Sequence, residues 1–136
     1  EICACLVGSE MCIRDSLKLL AEVKHTASEQ TIKDFMKMFS LDPCSKQSIK
    51  KYSLGMKQKI GIIQAIMENP DLLILDEPFN ALDEDSVELL RGLLLQYQKE
   101  GKLIIITSHH KEDIDSICSH ILLLQDGKLI QEIKLR

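Results

Sequence analysis

Leu72-Leu73-Ile74-Leu75-Asp76-Glu77-Pro78 is the stretch on which the fold turns. Four consecutive apolar residues, bounded by polar ones, suit a strand buried on both faces, as in a parallel sheet. Two carboxylates stand where the strand ends, and open α/β sheets collect their ligands at that end. An Asp there can hold hydrated Mg²⁺, a hard ion that prefers oxygen donors. The next carboxylate points to the other side of the strand and can polarise a water. On this segment alone, two solvated acids closing a strand are an equally good reading.

Upstream, after Asn69-Pro70 is crossed, residues 56–68 read as an Ile-rich helix preceded by Tyr52-Ser53-Leu54-Gly55-Met56-Lys57-Gln58. A helix N-terminus carries unpaired N–H groups and a positive dipole end. Ser53 can donate a hydroxyl there, and Gly55 lets a phosphate approach the backbone. A plain N-cap explains Ser53 as well. Downstream, residues 84–100 form a helical pattern stopped by Gly101. Ile104-Ile105-Ile106-Thr107-Ser108-His109 then reads as a second buried strand with a His just past its end, on the same sheet edge as Asp76. That His could touch a terminal phosphate or a water, or be structural. A short helix over 111–118 follows. Residues 121–124 and 128–133 close the chain as a hairpin around Asp126-Gly127. Strands alternating with helices predict an α/β fold with parallel pairing.

Toward the N-terminus, Leu17, Leu19, Leu20 and Val23 make one short apolar face. Ser28 is a candidate cap for a second helix, whose Ile32, Phe35, Met36 and Phe39 recur at i, i+3, i+4, i+7. Leu41-Asp42-Pro43 ends it, and a polar connector with Lys46, Lys50 and Lys51 follows. Residues 1–16 show no period, resemble translated adaptor or assembly-junction sequence, and are assigned no function.

The 136 residues suffice for one small domain. With 45% hydrophobic and 28% charged residues the balance is globular. Seventeen Lys and Arg against 21 Asp and Glu give a net charge of −4, which argues against nucleic acid as a partner. No Trp and 4% aromatics argue against a base-stacking platform. No apolar run approaches the roughly 18–20 residues that span a bilayer, and no leader pattern opens the chain, so the expected compartment is the cytoplasm. The five cysteines form no C-x-x-C pair and no Cys-His set with zinc spacing, and read as reduced, mostly structural thiols.

Together, the Ser-Gly loop before the acidic strand, Asn80-Ala81-Leu82-Asp83 just after it, and His109 one helix and one strand later resemble the second half of an ABC transporter ATPase. The resemblance covers about residues 17–136. Residues 53–56 match the signature loop, 72–77 the Walker B strand with its catalytic Glu, 81–83 the D-loop, and His109 the switch His. His110 is then a surface residue. The resemblance implies an incomplete P-loop NTPase core with part of the α-helical subdomain. Residues 17–52 would belong to that subdomain, and 53–136 would hold the signature helix and the C-terminal half of the core. The implied catalytic residues are Glu77, orienting and deprotonating the attacking water, and His109, contacting the γ-phosphate. Asp76 would position Mg²⁺. Ser53, Gly55 and Met56 would face the ATP held by an opposite subunit, and Asp83 would work across the same interface. ATP and Mg²⁺ are the implied cofactors. The implied partners are a second ATPase subunit, as a head-to-tail homodimer, and a separate transmembrane permease docking within about residues 17–52. The implied location is cytoplasmic, peripheral to the inner face of the membrane.

Two departures matter. The common signature is Leu-Ser-Gly-Gly-Gln; here Tyr52, Leu54 and Met56 differ, while Ser53 and Gly55 remain. This variant resembles bacitracin- and lantibiotic-type exporters. Second, the chain contains no G-x-x-x-x-G-K-[ST]; Gly101-Lys102 and Gly127-Lys128 are each followed by Leu. The resemblance then implies a truncated chain without Walker A, adenine-stacking aromatic or Gln loop. Such a chain is expected to expose its apolar strands, to be unstable or aggregating alone, and to be inactive by itself. Two other readings are a non-transport ABC-type ATPase and a non-catalytic module that lost its phosphate loop. The absence of a heptad coiled coil before Ser53 argues against a repair-type ATPase. Retention of Ser53, Asp76, Glu77 and His109 together argues against loss of catalysis.

Overall fold

A computed structural model describes residues 12–24 and 27–135, with backbone alone for Ile13, Leu20, Val23 and Lys24. The described elements are α1 (Ile13–Lys24), α2 (Glu29–Met38), α3 (Leu54–Ile66), β1 (Leu72–Asp76), α4 (Glu84–Lys99), β2 (Leu103–Thr107), α5 (Lys111–Ile117), β3 (His120–Gln125) and β4 (Lys128–Lys134). One 3-10 turn, Ile49–Lys51, precedes α3. Helix α1 starts ahead of the boundary set at residue 17, and Ser16 is buried beside Leu17. The remainder of the segment assigned no function, residues 1–11, lies outside the described residues.

Helix α2 follows its apolar spacing. The Thr31 N–H donates to Ser28 Oγ at 3.1 Å, and Ile32, Met36 and Phe39 are buried. Past the end of the helix, Ser40 adopts a left-handed φ of 56°, with the Leu41 N–H returned to the Met36 carbonyl at 2.8 Å. Helix α3 begins at Leu54, ahead of the expected Met56, because Ser53 caps it. It buries Ile60, Ile62, Ile63 and Ile66. In α4 the row Leu90, Leu94, Tyr97 faces the same core, and the Tyr97 hydroxyl donates to the Ile66 carbonyl at 3.3 Å.

Strands β1 and β2 pair parallel in the register Leu72↔Leu103 to Asp76↔Thr107, as the alternation of strands and helices predicts. Burial on both faces is not found. Leu73 and Leu75 are 3% and 1% exposed and join the core, whereas Leu72 and Ile74 are 50% and 59% exposed. Their cross-strand partners Leu103 and Ile105 are 61% and 47% exposed. The core packs against one face of this two-stranded sheet, so alternate side chains project from the other. The uncovered apolar face matches the exposure expected of these strands. The hairpin β3–β4 is antiparallel and turns through Asp126 and Gly127, both at positive φ, as a two-residue type I′ turn requires.

Candidate functional site

The parallel register sets Asp76 opposite Thr107 and thereby joins the two strand ends. The Thr107 hydroxyl donates to Asp76 Oδ1. It also accepts from the Glu77 N–H at 3.1 Å, which in addition reaches the Thr107 carbonyl at 3.1 Å. Glu77 adopts φ +46°, a left-handed conformation that a non-glycine residue holds only where its surroundings impose it. Its Oε1 lies 2.8 Å from His109 Nδ1. Asp76 is exposed, and its Oδ2 has no hydrogen-bond partner among the described residues. Three sequence-predicted residues, Asp76, Glu77 and His109, are thus brought together.

A second cluster surrounds the segment 77–83. Gln58 Nε2 donates to the carbonyls of Glu77 and Pro78 at 3.3 and 3.2 Å. Ala81, at φ +61°, points its carbonyl at Gly55, where a Cβ would meet that oxygen at 2.4 Å. Asp83 caps α4: its Oδ1 accepts from the Ser86 N–H and hydroxyl at 3.0 and 2.8 Å. Its Oδ2 pairs with Lys59 Nζ at 2.5 Å.

The Lys59 ammonium first, then the two Ser86 donors, hold the Asp83 carboxyl well below the ordinary value of 3.8. A carboxyl whose pKa is depressed on folding contributes stability above its unfolded pKa and loses it as pH falls toward the folded one. Asp83→Asn, which keeps a capping oxygen, is therefore expected to lower Tm at pH 7. The gap to the parent should close progressively below about pH 4. Thermal melts from pH 7 to pH 3 check this; a gap of constant size would contradict it.

Ser53 is exposed, and its Oγ accepts from the Met56 N–H at 3.2 Å, so here it serves as the helix cap. Met56 is half-buried and packs against the core. Among the described residues no hydrogen bond joins Ser53, Gly55 or Met56 to Asp76 or to the Glu77 and His109 side chains. Beyond His109, a groove of about 470 Å³ runs between Phe79, Val87 and residues 109–113. The His109 and His110 rings lie 4.0 Å apart there. Arg91 binds Asp113 at 2.5 Å, tying α5 to α4, and the Asp113 carboxylate raises the guanidinium pKa. Among the described residues, no three or more His, Cys, Asp or Glu side chains are grouped so that they could hold a metal ion by themselves.

A family model for ABC transporters matches residues 6–80. The chain belongs to the ABC transporter family. It is 47% identical over 114 residues to an uncharacterized ABC transporter ATP-binding protein, YybJ, of Bacillus subtilis strain 168, covering 84% of this chain and 52% of that one. The bacitracin transport ATP-binding protein BcrA of Bacillus licheniformis is 35% identical over 121 residues, covering 88% and 40%. The lantibiotic transport ATP-binding protein SrtF of Streptococcus pyogenes is 37% identical over 105 residues, covering 77% and 46%. The chain spans about half the length of the curated relatives it matches. Among solved structures, an ATP-binding subunit of an ABC transporter superposes with a TM-score of 0.86 at 24% identity, over 95% of this chain and 55% of that one. A dimeric ATP-binding cassette in a post-hydrolysis state, bound to ADP and Pi, superposes with a TM-score of 0.78 at 22% identity, over 95% and 59%. These likenesses show the fold: a partial ABC ATPase cassette of the P-loop NTPase type.

Four residues of this ABC family chain escaped the sequence reading: Gln58, Lys59, Arg91 and Thr107. Thr107 could have been found, since equal five-residue parallel strands place the last residue of one opposite the last of the other. Lys59 had a signal too, as a charge at helical spacing from Ile62, Ile63 and Ile66. Gln58 and Arg91 act on partners 19 to 22 residues away and gave none. No described helix is long and apolar enough to cross a membrane.

Proposed function

We propose that the chain supplies the acidic-strand half of the ATP-binding subunit of a bacterial ABC transporter. That subunit hydrolyses ATP in a head-to-tail dimer and drives transport, in the export direction. The observation that carries the reading is the meeting of Asp76, Glu77 and His109 at the ends of β1 and β2, with Glu77 Oε1 2.8 Å from His109 Nδ1.

The donor set fits Mg²⁺, which is commonly bound by one or two carboxylates plus waters and phosphate oxygens. Asp76 offers the free Oδ2, and the Thr107 hydroxyl fixes the other oxygen, so the carboxylate has one orientation. The phosphates of ATP need a cradle that the G-x-x-x-x-G-K-[ST] pattern would supply, and none occurs in these residues. Bound Mg²⁺ and ATP would supply the electrophilic phosphorus and neutralise charge developing on its oxygens. Glu77 has its N–H held by Thr107 and its carbonyl by Gln58, so its carboxylate is aimed before any ligand arrives. Oε1 is engaged by His109, and the other oxygen remains to accept a proton from water. His109 is exposed beyond it and can turn between Glu77 and a terminal phosphate.

Ser53, Gly55 and Met56 stand apart from this cluster, which supports their use on nucleotide held by a second subunit. The dimeric cassettes of the same fold support that partnership. Relatives named for bacitracin and lantibiotic transport support reading Tyr52, Leu54 and Met56 as the signature of that branch. Residues 17–52 would form the helical subdomain on which the permease docks, with the subunit peripheral to the inner membrane face. The full-length subunit containing this segment is expected to release phosphate from ATP only when Mg²⁺ is present. Mg²⁺-independent release, or none, would overturn the reading.

A further inference from the structure

The contacts around Asp83 exceed what capping a helix requires. Lys59 lies in α3 beside the buried Ile60 and is itself 8% exposed, yet its ammonium reaches Asp83 Oδ2. A buried ammonium is costly unless paired, and Asp83 supplies the counter-charge. Gln58 meanwhile holds the carbonyls of Glu77 and Pro78, and Gly55 abuts the Ala81 carbonyl. The first turns of α3 thus grip the segment 77–83 at its start, middle and end. That segment contains two non-glycine residues at positive φ, Glu77 and Ala81. Conformations of this kind persist where the surroundings over-determine them.

We infer that Lys59 is a positioning residue for hydrolysis. Its ion pair with Asp83 anchors the end of the segment 77–83, so that the start of α3 and the Glu77 carboxylate move as one body. Among the described residues Lys59 has no ion pair with Asp76, Glu77 or His109; it acts through Asp83. The inference rests on the ATPase reading above. It also gives that reading a mechanical consequence: a ligand gripped at Ser53 and Gly55 would bear on the aim of Glu77 in the same subunit.

The test uses the full-length ATP-binding subunit. Lys59→Met keeps the apolar stem and removes the charge. It is expected to lower kcat about tenfold while leaving the KM for ATP within about twofold, the pattern of a misaimed group rather than a lost binding contact. Lys59→Arg, which keeps the charge, is expected to restore most of kcat. Added to Asp83→Asn, Lys59→Met should cost nothing further, because the two residues act as a pair. Should Lys59→Met not fold, Lys59→Gln carries the same comparison. An unchanged kcat overturns the inference. So does a fall that Lys59→Arg shares, or one matched by a rise in KM, since local collapse would produce either. A wild-type subunit that releases no phosphate overturns instead the ATPase reading, before any variant is compared.

Discussion

Glu77→Gln is expected to lower ATP hydrolysis by the full-length subunit about a thousandfold, within the range that loss of a positioned general base produces. ATP binding should stay within a few-fold of wild type. The substitution conserves shape, and the backbone restraints on residue 77 come from Thr107 and Gln58 rather than from its side chain. The amide oxygen can still meet His109 Nδ1. What disappears is an oxygen basic enough to take a proton from water. Phosphate release at saturating ATP and Mg²⁺, beside equilibrium binding of nucleotide, separates the two quantities. Hydrolysis retained above about a tenth of wild type would move the base to another residue. Binding lost in parallel would make Glu77 a binding group.

Strand β1 and its acidic end were readable because four apolar residues and two carboxylates leave little choice of conformation. Helix α2 and the hairpin were readable for similar local reasons: a 3.6-residue period with Ser28 before it, and Asp126-Gly127 between two apolar runs. Which face of β1 the core covers was not readable. An unbroken apolar run has no period, so it cannot say which face a neighbour covers. Leu72 and Ile74 look like Leu73 and Leu75 in sequence and differ only in what packs on them. Ser53 was ambiguous for another reason. One hydroxyl at a helix start suits both a cap and an anion, and in this chain it accepts the Met56 N–H. The meeting of Glu77 with His109 followed from strand order. The restraints on the segment 77–83 depend on how α3 crosses it, a tertiary fact that local pattern does not carry.

Gly55 offers the sharpest test of that crossing, because the same substitution elsewhere in the chain has the opposite expected sign. Helix propensity alone favours Ala over Gly by about 0.5–1 kcal/mol in both α3 and α4. At Gly92, inside α4, an added Cβ meets nothing within 4 Å. Gly92→Ala is therefore expected to raise stability by about that amount. At Gly55 the added Cβ falls 2.4 Å from the Ala81 carbonyl oxygen. This is backbone at a left-handed residue, between the Gln58 contact at Pro78 and the Lys59 contact at Asp83, and it has no flexible end to swing aside. Gly55→Ala is expected to cost about 1–3 kcal/mol, the usual range for overpacking. Tm should fall by several degrees, where Gly92→Ala raises it. The displaced segment begins at Glu77, so kcat should fall with Tm, which stability loss alone would not cause in the folded fraction. Denaturant titrations of both variants, with kcat at a temperature where each is folded, decide the matter. If both substitutions stabilise, the segment 77–83 yields freely, and α3 does not hold it in place.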